Sequence, residues 1–323
     1  MWSQANHTND RESLGLFACA PSTNAQTDLA SIWFNCSGLF LPFSARRLPG
    51  SVHKIAFQIG SLTIHWYGVL VALGFLAGLW TASRRGLKEG FAPEKVFDAG
   101  VWLILGTVIG ARALYVISYL DKLMEAPRFP SMPWTEIFMV QRGGLVFYGG
   151  LIGASLATVL YAYKNKLSLW RFADTLAPSI ALGYVPGRIG CLMNGCCYGK
   201  ATDVPWGIHF PSGHETHGHA VHPTQIYDAL LNFGLYLALA WLFRRKKFDG
   251  QVFAVYLLCY AITRSTVEIF RGDYPVRYLG GAATPAHLIS IAIFATGAVL
   301  YWKLSSRPPA PIPTASRKAR PAK

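Results

Sequence analysis

Seven apolar stretches, each close to the ~20 residues that cross a hydrocarbon core as a helix, decide most of what this chain can be. They run over roughly 61–82, 97–119, 144–163, 172–190, 223–243, 250–270 and 285–303. LVALGFLAGLW and LISIAIFATGAVLYW are the strongest of them. In lipid, every backbone N–H and C=O must find its partner within the protein, so such stretches are read as helices. Only 14% of the 323 residues are charged, against about 25% in a soluble domain. The pattern predicts an all-α integral membrane protein, a bundle of about seven transmembrane helices with a small extracytoplasmic loop region. The fourth stretch, FADTLAPSIALGYVPGRIG, contains Pro178 and Pro186 and is expected to break or kink.

A net charge of +14 would suit nucleic acid if the basic residues formed one face. They fall instead in short groups between apolar runs. Arg84, Arg85 and Lys88 follow the first stretch, Lys164, Lys166 and Arg171 the third, and Arg244, Arg245, Lys246 and Lys247 the fifth. Lys303, Arg307, Arg317, Lys318, Arg320 and Lys323 end the chain. Every second connection is therefore basic, and basic connections mark the cytoplasmic side. This predicts an outside N-terminus, a cytoplasmic C-terminus and extracytoplasmic loops at 120–143, 191–222 and 271–284. Arg46, Arg47 and Lys54 run mildly against it. Residues 1–50 are polar and aperiodic and are read as a disordered or mis-started extension. Within them SIWFNCSGLFLPF (31–43) is too short to span and is read as interfacial. Residues 51–304 form the seven-span domain, and 305–323 a basic, proline-rich cytoplasmic tail.

Ionisable side chains inside spans are costly, so they face a bundle interior or an aqueous cavity and usually have a task. Arg112, Arg188, Arg264, Glu268 and Arg271 all fall in the predicted outer half of the membrane. Several arginines at one depth suit an anion, because guanidinium stays ionised and grips phosphate with two parallel hydrogen bonds. The plainer reading is that Arg264 and Glu268, four residues apart, neutralise each other, and that Arg271 snorkels to the interface. The glycines of RGGLVFYGGLIG and GRIGCLMNG fit close helix packing or backbone N–H groups brought near an anion.

Cys191, Cys196 and Cys197 are spaced C-x4-C-C, and His209, His214, His217, His219 and His222 follow. A Cys/His metal site and a disulfide from Cys191 to Cys196 or Cys197 are both open on this spacing. Cys259 reads as packing, and His65 as an interfacial anchor.

Six blocks together carry a resemblance: IHWYGVLVALGF (64–75), GARALYVISY (110–119), RGGLVFYGGLIGA (142–154), GRIGCLMNGCCYG (187–199), HPTQIYDALLN (222–232) and RSTVEIFRGD (264–273). In order and spacing, over roughly residues 52–304, they resemble the bacterial prolipoprotein diacylglyceryl transferase family. The resemblance implies transfer of a diacylglyceryl group from phosphatidylglycerol to the lipobox cysteine of a prolipoprotein signal peptide. A thioether forms and glycerol phosphate leaves, at the outer face of the bacterial inner membrane. No cofactor, metal or nucleic acid is implied.

By the same resemblance Arg188 and Arg264 are the essential arginines, set against the charge growing on the phosphate. Asn194 would bond headgroup or loop backbone, Tyr67 and Tyr260 would line the headgroup pocket, and Glu268 would hold an arginine. Arg112, Gly149, Gly150, Gly195, Gly199 and His222 complete the expected substrate-binding set. Two departures stand out. Tyr148 occupies the place where many members carry a histidine proposed as base, so it is the third catalytic candidate. Tyrosine, with a pKa near ~10, is a poor base at neutrality. The arginine field or His222 could serve instead, and the field is favoured. Cys191 and Cys196 replace polar positions, so sulfur is read as secondary and the cysteines as replaceable. Two other readings compete: a lipid or small-anion transporter, for which paired repeats are lacking, and a metal-dependent membrane hydrolase using the Cys/His cluster.

Overall fold

Apolar stretches of this length must close their own hydrogen bonds, and the computed structural model does so with seven long helices among the described residues. These are 54–60, 62–118, 138, 144–272 and 283–306. The expected extension 1–50, the segment 31–43 within it, and the tail beyond residue 306 lie outside them.

Helices α1 (Trp66–Lys88), α2 (Pro93–Ser118), α3 (Phe147–Lys164), α4 (Leu169–Asn194), α5 (Thr224–Phe243), α6 (Gln251–Phe270) and α7 (Pro285–Ser305) fall on the predicted stretches. Two details differ. The first helix starts late, because Ile55–Ile59 (β1) and Leu62–His65 (β2) pair as an antiparallel hairpin ahead of it. Gly60 turns that hairpin at φ +59°. The fourth helix does not break: it runs unbroken through Pro178 and Pro186. Pro178 is fully buried, so the backbone groups it releases face protein and not lipid.

All but α3 are long and apolar enough to cross a membrane. Their outward faces carry Leu76, Trp80, Ile109, Leu230 and Trp302, each more than half exposed. Apolar surface on that scale is a lipid-facing surface. The protein is a helical integral membrane protein.

The helices neighbour one another in the order α3, α2, α1, α4, α5, α6, α7, and α4 also reaches α6. Two interfaces are very close. A Cβ on Gly153 would run into the Gly106 carbonyl, and one on Gly110 into that of Gly149. A Cβ on Gly74 of α1 would meet the Gly183 carbonyl of α4 at 2.5 Å. In lipid there is no hydrophobic drive between helices, so backbone approach at small residues carries the packing.

The two ends of the bundle differ. One end holds Arg84, Arg85, Lys88, Lys164 and Arg244–Lys247. There Asp174 of α4, wholly buried, accepts from the Gly250 and Phe253 N–H groups at 2.8 and 2.9 Å and so caps α6 from a neighbouring helix. Lys246 joins it at 3.2 Å and also meets Glu89 at 3.0 Å. The other end carries the β1–β2 hairpin and a second small ladder, Ile208–His209 (β3) with Ala220–Val221 (β4).

Gly153→Ala should drive the α2 and α3 backbones apart. We expect a loss of about 1–3 kcal/mol, read by reversible unfolding in mixed SDS micelles. An unchanged midpoint would mean that this contact does not hold the pair.

Candidate active site

At the hairpin end, three helices bring charge together. The α4 residue Arg188 is paired through Nε with Asp228 of α5 at 2.8 Å, and its Nη2 donates to the Tyr184 hydroxyl. Tyr184 in turn donates to Asp228 at 3.2 Å. Asn232, one turn along α5, donates to the other Asp228 oxygen at 2.8 Å. The Asp228 side chain is 3% exposed and that of Arg188 13%, so the pair is desolvated and fixed in orientation.

A second cluster joins α6 to α7. Arg264 meets Glu268 at 2.6 Å, Arg271 approaches the same carboxylate oxygen at 4.0 Å, and Thr284 donates to the other at 2.9 Å. Thr284 is also the N-cap of α7, in a reciprocal box with His287. Arg271 was expected to snorkel but is 5% exposed. Its backbone forms a bridge with Gly199, and Lys200 N–H bonds the Phe270 carbonyl at 2.8 Å, which draws residue 271 inward.

The two clusters share a neighbour. The Tyr260 phenol lies in the fields of Arg264, Asp228 and Arg188, with the Tyr184 ring edge-on at 6.3 Å. Arg188 and Arg264 therefore border one region between α4, α5 and α6. Between α6 and α7 lies an open groove of about 410 Å³ lined by Ala261, Ile262, Ile269, His287, Ile291 and Phe294.

The loop after α4 is tied down from several sides. Gly195 takes the left-handed conformation that ends the helix, φ +77°, and Cys196 N–H returns to the Cys191 carbonyl at 3.1 Å. Thr224 and Gln225, at the start of α5, donate to the Cys197 and Cys196 carbonyls, both at 2.7 Å. His214 donates from Nε2 to the Gly195 carbonyl at 2.6 Å, which leaves Nδ1 to accept from Thr216 N–H at 3.2 Å. Gly199 admits no side chain: a Cβ there would stand 2.5 Å from that of His222. Asn194 faces the Cys196 sulfur at 3.6 Å.

Cys191, Cys196 and Cys197 are free thiols. Cys197, just beyond α4, ionises below the ordinary thiol range: it shares hydrogen bonds with Cys191 and Cys196, and Arg271 and Arg188 lie near.

The remaining expected residues are held by other contacts. Tyr148 opens α3, with the Phe147 ring at 5.8 Å. Arg112 of α2 donates to the Gly144 carbonyl at 3.1 Å and lies over the Tyr115 ring, a contact between α2 and the start of α3. Gly149 and Gly150 are packing positions against Gly110 and Thr107, and the Gly150 N–H is taken by the Val146 carbonyl. His222 bonds the Tyr227 hydroxyl through Nδ1 at 3.2 Å and packs on Phe270. Tyr67, 46% exposed, lies against Gly190 and near the three thiols. Sequence reasoning did not single out Asp228, Tyr184, Gln225 or Thr284. An acid inside the apolar run IYDALLN was the available signal for Asp228.

Residues 54–303 match the family model described as prolipoprotein diacylglyceryl transferase. Similar proteins named phosphatidylglycerol–prolipoprotein diacylglyceryl transferase include those of Finegoldia magna, Pseudomonas putida and Clostridium tetani. The first is 36% identical over 77% of this chain and 95% of its own length. The second is 35% identical over 80% and 96%, and the third 34% over 68% and 85%.

Removing the acid from the Arg188 pair should cost more than removing both partners. Asp228→Leu is expected to lose about 3–5 kcal/mol in unfolding free energy, because it strands a buried guanidinium. Arg188→Met combined with Asp228→Leu should recover much of that. Additive losses across the cycle would show that the two side chains do not depend on each other.

Proposed function

The chain belongs to the prolipoprotein diacylglyceryl transferase family, and from that premise we propose that it transfers the diacylglyceryl group of phosphatidylglycerol to the lipobox cysteine of a prolipoprotein. The acceptor sulfur attacks the glyceride carbon bonded to the phosphate oxygen. The C–S bond forms as the C–O bond breaks, and the electron pair leaves with glycerol phosphate. The thiol proton goes to water.

The observation that carries this reading is the approach of Arg188 and Arg264 to one region beside Tyr184 and Tyr260, on the helix α6 that with α7 also borders an apolar groove. Charge grows on the phosphate as it leaves, so fixed donors in a dry site lower the barrier. Asp228 and Tyr184 fix Arg188, and Glu268 with Thr284 fixes Arg264. A guanidinium has five N–H donors. Only part of that set holds Arg188 in place, and the rest suits phosphate oxygens. The groove would take acyl chain, and Tyr260 and Tyr67 would border the headgroup. His222, bonded to Tyr227, and Tyr148, on the α2–α3 pair, are less suited as the base than the arginine field acting on the incoming thiol.

The membrane is proposed to be the bacterial cytoplasmic membrane, with the hairpin end outward. The basic end would then face the cytoplasm, in line with the bias of Lys and Arg toward that side.

Purified protein in mixed micelles, given labelled phosphatidylglycerol and a lipobox peptide, should yield a diacylated peptide. Folded protein that gives none would sink the reading. Arg188→Ala and Arg264→Ala should each lower kcat by about 10²–10³-fold, and near-normal rates in both would remove the phosphate role. Tyr148→Phe should stay within about 3-fold, since the reaction then needs no phenolic proton transfer.

A further inference from the structure

The three cysteines at the end of α4 and in the loop that follows converge more closely than a replaceable position requires. The sulfurs of Cys191, Cys196 and Cys197 all lie within 4.8 Å of one another, and each residue is half-buried. A disulfide needs two sulfurs. Three on one centre is the arrangement that a thiophilic cation needs. With zinc–sulfur bonds of about 2.3 Å in a tetrahedral site, neighbouring sulfurs stand about 3.8 Å apart, within the observed spread.

The loop is also built to hold this shape. Cys197 is a non-glycine residue in the left-handed region, φ 62°, a conformation that persists only where the surroundings impose it. Thr224 and Gln225 hold its carbonyl and that of Cys196 from α5. Arg188 and Arg271 supply positive charge beside the sulfurs. That charge offsets the surplus negative charge left when three thiolates bind a divalent cation.

We propose that Cys191, Cys196 and Cys197 form a three-thiolate site for a thiophilic cation, zinc foremost, whose fourth coordination position is filled from outside the chain by a thiol. His214, which packs on this loop, does not fill it, because both of its ring nitrogens are engaged, with Gly195 and with Thr216. The choice of a thiol rests on the transferase reading, in which a cysteine is the acceptor. A thiol that coordinates zinc is deprotonated. Exchange at the site balances as a bound water released, a sulfur–metal bond formed and one proton given to solvent. The reaction would then gain an ionised nucleophile in a chain that has Tyr148 where a histidine would otherwise be expected. This revises the reading of sulfur as secondary.

The full chain, purified under reducing conditions, stripped with chelator and reloaded with zinc, should hold about one ion per chain by elemental analysis. Cys191→Ala and Cys197→Ala should each fall below about a tenth of that, while Cys259→Ala keeps it. Elution as the same folded species in detergent shows that the loss is not unfolding. Cobalt loading should give thiolate-to-metal absorption that shifts with a lipobox cysteine peptide and not with its serine counterpart. Absence of metal in reloaded protein, metal retained when all three are alanine, or a disulfide joining two of the three under reducing purification would each overturn the site. Cobalt absorption indifferent to the cysteine peptide would overturn the thiol as fourth ligand. Because metal content is read without turnover, its failure leaves the transferase reading standing. Failed transfer by metal-loaded protein would strike that reading and not the site.

Discussion

A guanidinium group buried in a bundle surrounded by lipid needs a carboxylate beside it, and much of this structure follows from meeting that need. The pairs are not local decorations. Arg188 and Asp228 tie α4 to α5. Glu268 receives Arg264 and Arg271 from its own side and Thr284 from the start of α7. Between apolar surfaces in lipid no water is released by association, so hydrogen bonds and close backbone contact hold helices together. The glycine contacts of α2 with α3 and of α1 with α4 do this without charge. The α4–α5 and α6–α7 contacts add charge, and these are the helices that carry the candidate site.

The helices were legible because lipid permits little else: a stretch near ~20 apolar residues has one common solution. Their ends were less so. Residues 62–65 read as the start of a span, yet they pair with 55–59, because a short strand next to a turn looks apolar too. The prolines of α4 suggested a break that packing around Pro178 made unnecessary. Within the site, the arginines stood out as charges in apolar runs. Their partners did not. Asp228 and Thr284 sit in their segments with nothing along the chain to mark them as partners. What gives them meaning is the neighbour each meets across a helix interface, a relation that spacing along one segment does not contain. The spacing C-x4-C-C likewise matched no familiar ligand pattern. The left-handed turns at Gly195 and Cys197 fold that spacing back on itself.

Pairing each arginine raises a question about anion binding, since a neutralised charge attracts less. The balance at the hairpin end answers it. Among the described residues, Arg112, Arg188, Arg264 and Arg271 stand there with Asp228 and Glu268 as the buried acids of the helices around them. The carboxylates offset part of the charge and set the direction of the rest. A fixed donor needs no reorganisation when charge develops on a leaving group, whereas a loose one in water must be turned into place. An arginine held by an acid is weaker as a point charge but stronger as an aimed donor.

The opposite end of the bundle makes the same argument with the sign reversed. There Glu89, Asp174 and Asp249 outnumber Arg171 and Lys246 in one connected network, and Asp174 spends its remaining acceptor capacity on the first N–H groups of α6. Among the described contacts its cations are engaged with acids, so the network locks helix ends. Both clusters are buried, both join several helices, and both would be flagged by burial of charge alone. What separates a structural lock from an anion site is which sign is left over once the internal pairs are made. Among the described residues at the hairpin end the remainder is cationic, on helices that include the α6–α7 groove.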